Sequence, residues 1–216
     1  MSKIKFATIL CLALSLPGVR SLYAQSEYGM ATVRVMEPAN NLYGTPIASI
    51  GASLGYGKTF NDSHWGAEYT AFADDLNSRF DFATDKYLTA TTIIGGLAIT
   101  STYCINPKNK FVWVSGGLSV KAGYNWGNTD VYLSGTDGAK DENLENKTAN
   151  GGFTVALAPK IMIAFKTANA NILGLEFGYD TSSFGTGASK IKSAYYNPPD
   201  YNSGYLFVGI FLRLPN

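Results

Sequence analysis

The sequence predicts an all-β fold, an eight-stranded antiparallel up-and-down barrel, and three observations carry that prediction. Most segments after Tyr28 alternate between apolar and small or polar residues with period two. The connections between them alternate in length, long then short, along the chain. The composition suits strands and turns: 46% hydrophobic and 13% aromatic residues, 14 Tyr and 23 Gly among 216 residues. A formal charge of +1 with 15% charged residues argues against nucleic-acid binding and against disorder.

Residues 1–24 have the order of a secretory signal peptide: Lys3 and Lys5, the apolar run Phe6 to Val19, and a small residue at Ala24. The run is too short to span a bilayer as a helix. Leu10 before Cys11 does not fit a lipoprotein signal. Cleavage after Ala24 would leave 14 basic and 16 acidic residues, and one cysteine, Cys104, so no intramolecular disulfide.

The clearest strand is Phe111 to Trp126. Val112, Val114, Leu118, Val120, Tyr124 and Trp126 share one phase, while Ser115, Gly117, Ser119, Lys121 and Asn125 share the other. Ile172 to Asp180 and Tyr205 to Leu214 repeat the pattern. Weaker versions run from Tyr28 to Glu37, Ile47 to Thr59, His64 to Asp74, Tyr87 to Ile105 and Phe153 to Thr167. Two irregularities stand out. Thr91 to Gly96 does not separate into two faces, and Pro159, which cannot donate to a ladder, implies a bulge or a missing bond. The odd-numbered connections (Pro38 to Pro46, Asp75 to Lys86, Gly127 to Gly152, Thr181 to Gly204) have 9, 12, 26 and 24 residues. The even-numbered ones (Phe60 to Ser63, Asn106 to Lys110, Ala168 to Asn171) have 4, 5 and 4. Short turns on one side and long loops on the other are the asymmetry of an outer-membrane barrel, and an even strand count puts both termini on the short-turn side.

A soluble lipocalin-like barrel would put the apolar phase inside and a charged coat outside. Here the minor phase carries Gly, Ser, Thr and, away from strand ends or in the final strand, only six charges: Arg34, Glu68, Lys121, Lys160, Glu176 and Arg213. They suit a lumen network in a barrel just wide enough for side chains, with glycines of the same phase leaving room. Tyr124, Trp126 and Tyr179 at one end, and Trp65 and Phe165 at the other, suit interfacial aromatic girdles.

These residues resemble the small outer-membrane β-barrel proteins of Gram-negative bacteria, the group containing the OmpA-like membrane domain. Gly209, Leu212 and Leu214 look like the core of the signal read by the barrel-assembly machinery, although Phe207 stands where a polar residue is usual and Pro215 and Asn216 follow the last strand. Tyr23, Ala24 and Gln25 look like a Bacteroidetes leader ending. The resemblance implies location in the outer membrane, contact with its lipid and with the assembly machinery, and, because the chain stops after the last strand, no peptidoglycan-binding domain.

Enzymatic barrels need a base beside a nucleophile or carboxylate. The single His64 opens the third strand, and Asp74 and Asp75 close it about ten residues away, roughly 30 Å. Asp130, Asp137, Asp141, Glu142 and Glu145 lack the spacing of a calcium loop. No cofactor or metal site is expected. Lys190, Lys192, Tyr195, Tyr196 and Tyr201 place positive charge and aromatics on one loop, a composition of recognition surfaces. The expectation is a non-enzymatic barrel with a structural or surface-interaction role toward an unknown extracellular partner. The alternatives are a narrow pore and a secreted lipocalin-like binder of a small apolar ligand.

Overall fold

The computed structural model describes residues 24–39, 45–46, 49–60, 64–109, 111–135, 140–167, 171–182, 190–195 and 204–215. All but the last residue of the leader, together with Tyr196 and Tyr201, lies outside them. The strands are β1 (Ala24–Pro38), β2 (Thr45–Pro46), β3 (Ser49–Phe60), β4 (Trp65–Ala83), β5 (Lys86–Cys104), β6 (Val112–Leu133), β7 (Glu142–Lys166), β8 (Ile172–Asp180) and β9 (Tyr205–Pro215). Eight of them form a closed antiparallel ring in which each pairs with its neighbour in sequence and β9 returns to β1. The two-residue β2 lies outside the ring against Ser78 and Arg79 of β4.

The register fixes the shape. One circuit through paired residues runs Lys166, Ile172, Arg213, Met30, Gly55, Thr70, Ala98, Lys121 and Ala156, returning to β7 ten residues from its start. A stagger of that size over eight strands tilts them by about 40° and leaves an interior that side chains can fill.

Around this ring the outward phase is apolar. Val33, Val35, Leu97, Ile99, Val155, Ile161, Val208 and Ile210 are all more than half exposed, while the inward phase holds Thr32, Arg34, Glu68, Thr70, Lys121 and Glu176, all buried. On β5 the apolar outward stretch runs from Tyr103 to Ile93. Ten residues at about 3.3 Å and about 40° of tilt give a band roughly 25 Å tall. Trp65 and Tyr103, packed edge to face at 5.0 Å, mark one margin, and Tyr124 and Trp126, 4.8 Å apart, mark the other.

Two of the long connections are mostly strand. Residues 75–86 form a continuation of β4, a two-residue turn at Thr84 and Asp85, and the start of β5. Residues 127–152 continue β6 and β7 up to a connection of Ser134 to Asp141. Beyond the band the polarity of the faces inverts. Leu76, Phe80, Leu88, Ala90 and Val131 point inward and are buried in one cluster with Met36, Phe72, Ile94, Tyr205 and Phe207, whereas Asp75, Asn77, Thr91, Asn128 and Asp130 point outward. A scan for an outward apolar phase therefore takes these strands for loops. The same crossover explains Thr91 to Gly96: Ile93 belongs to the outer band, and Ile94 to the inner cluster. Of the connection 181–204 between β8 and β9, residues 181–182, 190–195 and 204 are described.

Pro159 does not shift the register of β6 with β7, in which it faces Leu118. Its effect falls on the other neighbour. The β7–β8 ladder begins at Lys160 and Gly178, below Pro159, and the next bond is Thr181 N–H to the Leu157 carbonyl, 2.9 Å. The bulge of β7 lies instead at Gly151, the extra residue between the pairs Asn125–Gly152 and Trp126–Asn150. Gly152 there has φ of 93°, which glycine adopts without strain.

Candidate functional site

The six minor-phase charges all lie inside the ring, and the structure adds two. Asp74 and Asp180, each 1% exposed, balance the interior at four acids and four bases. The sequence reading ended the third strand at Asp74 and so missed its phase, which it shares with Glu68 and Thr70. Asp180 stood in the polar phase of the eighth-strand pattern and could have been found there.

The charges form two groups. In the lower one Arg213 donates from Nη2 to Glu68 Oε1 at 2.6 Å, and Lys160 Nζ lies 3.0 Å from Glu176 Oε2 and 3.6 Å from Glu68 Oε2. The Tyr28 hydroxyl also donates to Glu68 Oε1, 3.2 Å. In the upper group Lys121 Nζ lies 2.5 Å from both Asp74 Oδ2 and Asp180 Oδ2, and Arg34 Nη2 lies 3.2 Å from Asp74 Oδ1. Asp180 also accepts from the Ser182 backbone N–H, 2.8 Å. The cations lie over aromatic faces as well: Lys121 over Phe72 at 4.2 Å and Arg213 over Tyr28 at 4.9 Å.

Glycine makes room for these long side chains. A Cβ at Gly51 would run into Asp74 and Arg34, and one at Gly209 would press on Arg34 and Glu176. Gly51→Ala is expected to destabilise the barrel by roughly 1–3 kcal/mol, the usual cost of overpacking, read as a lower urea midpoint of unfolding.

The two groups enclose a cavity of about 20 Å³ between Arg34, Glu68, Lys121 and Glu176, room for about one water molecule. Above it lies the apolar cluster around Phe72, Ile94 and Phe207, and below it Met162, Ala164 and Phe211 with Trp113 and Ile172. Among the described residues an apolar cluster thus lies on either side of the charged layer.

No protein-family model and no curated protein matches the chain. Among solved structures it is similar to Ail, the attachment invasion locus protein of Yersinia pestis (13% identity, TM-score 0.41, covering 89% of this chain and 100% of that one). It is also similar to Neisserial surface protein A (14% identity, TM-score 0.42, covering 86% and 96%). The chain is an eight-stranded antiparallel barrel. That statement stands on its closed ring of ladders.

The loop candidates divide. Lys190 is committed to the bulge, its Nζ donating to the Gly151 carbonyl at 2.5 Å. Ser193 Oγ donates to Glu145 Oε2 at 2.5 Å, and this bond holds the Glu145 carboxyl below its usual range. Lys192 and Tyr195 are exposed. Residues 190–195 thus lie against β7, and their solvent face is Lys192 and Tyr195.

A cluster that the sequence reading passed over lies on the outer face of the protruding hairpins. Arg79 stands 3.7 Å above the Tyr87 ring, Tyr87 stacks on Tyr132 at 5.1 Å, and the Tyr87 hydroxyl donates to Asp141 Oδ2 at 2.5 Å. That bond pushes the Tyr87 hydroxyl up to about 12 and holds Asp141 below the usual carboxylate range. A depressed carboxylate contributes stability above its unfolded-state value and loses it as the pH falls through its folded-state value. Tyr87→Phe should therefore raise the Asp141 pKa toward the ordinary range, measured by NMR titration of the side-chain carboxyl.

His64 and the two aspartates do not meet. His64 Nδ1 lies 2.6 Å from the Cys104 carbonyl at the short-turn end, Asp74 points inward, and Asp75 points outward, accepting from Asn77 at 3.2 Å. Among the described residues no group of three or more His, Cys, Asp or Glu side chains could hold a metal.

Proposed function

We propose that this chain is a non-conducting, non-enzymatic outer-membrane protein of a Gram-negative bacterium, with a structural or surface-interaction role toward an extracellular partner. The observation that carries this reading is the inverted polarity of the wall: an apolar band roughly 25 Å tall whose outward charges, Lys58, Glu37 and Asp75, fall at its ends, around an interior of seven buried charges and the largely buried Lys160. Water solvates neither arrangement well, whereas lipid against the wall and paired charges within satisfy both. The secreted lipocalin-like alternative needs the apolar phase inside, where the structure has the ion pairs. The pore alternative needs a water path, and the two apolar clusters oppose one. The expected partners within the membrane are its lipid and the barrel-assembly machinery.

The surface-interaction role is supported by the protruding sheet of β4 to β7. Its outer face carries Arg79 and Tyr132, residue types that dominate binding hot spots, with the buried Tyr87 ring packed against both. In cells, the processed chain should fractionate with the outer membrane and migrate faster on a gel unheated than boiled. In planar bilayers it should give no discrete conductance steps. Recovery from the periplasm or medium without detergent would refute the membrane reading, and stepwise currents would restore the pore.

A further inference from the structure

The lipid-facing wall is not uniformly convex. Across β6 to β9 and β1 it carries a groove of about 800 Å³, bordered by Ile161, Phe177, Tyr179, Leu206 and Val35, a volume within the range of small-molecule sites. The groove exists because side-chain bulk is missing from its floor. Gly116 presents no side chain on the outer face, and Pro159 adds only a ring where the β7–β8 ladder skips a bond. Its lining is mostly apolar with two charged residues: Lys160, whose ammonium is paired inward with Glu176 and Glu68, and Glu37, a carboxylate at the upper end, where β1 and β8 leave the band.

We infer that this groove is the seat of one membrane lipid, its acyl chain lying along Gly116 and Pro159 and its amine-bearing head group against Glu37. The inference rests on the membrane reading above, since the groove is continuous with the apolar band. In a bilayer a void there forfeits dispersion contacts on its whole lining, so a flexible chain enters it. The rims on either side distinguish that chain from lipid passing over the rest of the wall. Glu37 at the mouth favours a cationic amine over a head group of net negative charge.

The wall supplies a matched pair of tests. A Cβ added at Gly116 or at Gly29 meets nothing within 4 Å, so Gly116→Leu and Gly29→Leu are both accommodated on the outer face, but only the first fills the groove. Full-length processed protein would be inserted into vesicles holding equal amounts of phosphatidylethanolamine and phosphatidylglycerol with identical acyl chains, extracted in mild detergent, and weighed by native mass spectrometry. The expected result is one retained phosphatidylethanolamine on the unsubstituted chain and on Gly29→Leu, at least tenfold less on Gly116→Leu, and loss of head-group preference on Glu37→Gln. Equal retention by the two leucine variants, or no retained lipid on a barrel that inserts and is heat-modifiable, overturns the groove while leaving the membrane reading intact. Failure to insert at all overturns both.

Discussion

Lys121→Met should be among the most damaging single substitutions in this barrel, costing about 3–5 kcal/mol, the range for removing one partner of a buried ion pair. Lys121 is 2% exposed and its ammonium lies 2.5 Å from two carboxylates, Asp74 and Asp180. Without it Asp180 keeps only the Ser182 N–H and Asp74 keeps Arg34, so the upper group holds two carboxylates against one guanidinium. Unfolding in urea from lipid vesicles, followed by the gel shift, would measure the loss. Adding Asp180→Asn should recover a substantial part of it, because a neutral amide replaces the uncompensated charge. If Lys121→Met alone costs under about 1 kcal/mol, the level of a solvated surface pair, the interior is wet and the filled-lumen account fails.

The second large effect depends on height. Leu97→Arg puts a charge at the middle of the outward band, where Leu97 is 59% exposed. The expected cost is about 2–4 kcal/mol at the bilayer midplane, falling to about 0–1 near the interfaces. Asn128→Arg, on an outward position one step beyond Trp126, should fall in the lower range. The folding free energy into vesicles, measured for Leu97, Ile93 and Asn128 in turn, should fall in cost with distance from the midplane. A water-soluble barrel would show no such gradient, since an exposed arginine there would be solvated at every height.

How much of this was legible before the structure depended on which solvent each segment meets. Within the band, alternation read along one strand gives the strand, its phase and its inward charges together, because on the membrane reading Val120 faces lipid and Lys121 does not. Above the band the rule reverses. Leu76, Phe80 and Leu88 are apolar and inward, so strands continuing there have the outward composition of loops, as residues 75–86 and 127–152 do. Asp74, at that crossover, was lost from the interior for the same reason. The Arg79, Tyr87, Tyr132 and Asp141 cluster gathers three strands and a connection, and only the pairing of Tyr87 with Tyr132 brings it together. Pro159 in a strand implies a bulge or a missing bond, but which neighbour loses the bond depends on register.

The central claim is that the outward apolar phase meets lipid, and solvent accessibility at single positions tests it most directly. With Cys104 replaced by Ser, an environment-sensitive fluorophore would be attached to a cysteine at position 97 or 128 in vesicle-reconstituted protein. At 97 the account predicts blue-shifted emission quenched by lipids labelled on the acyl chain and untouched by iodide. At 128 it predicts the reverse. Iodide quenching at 97, in a chain that still folds, would contradict it.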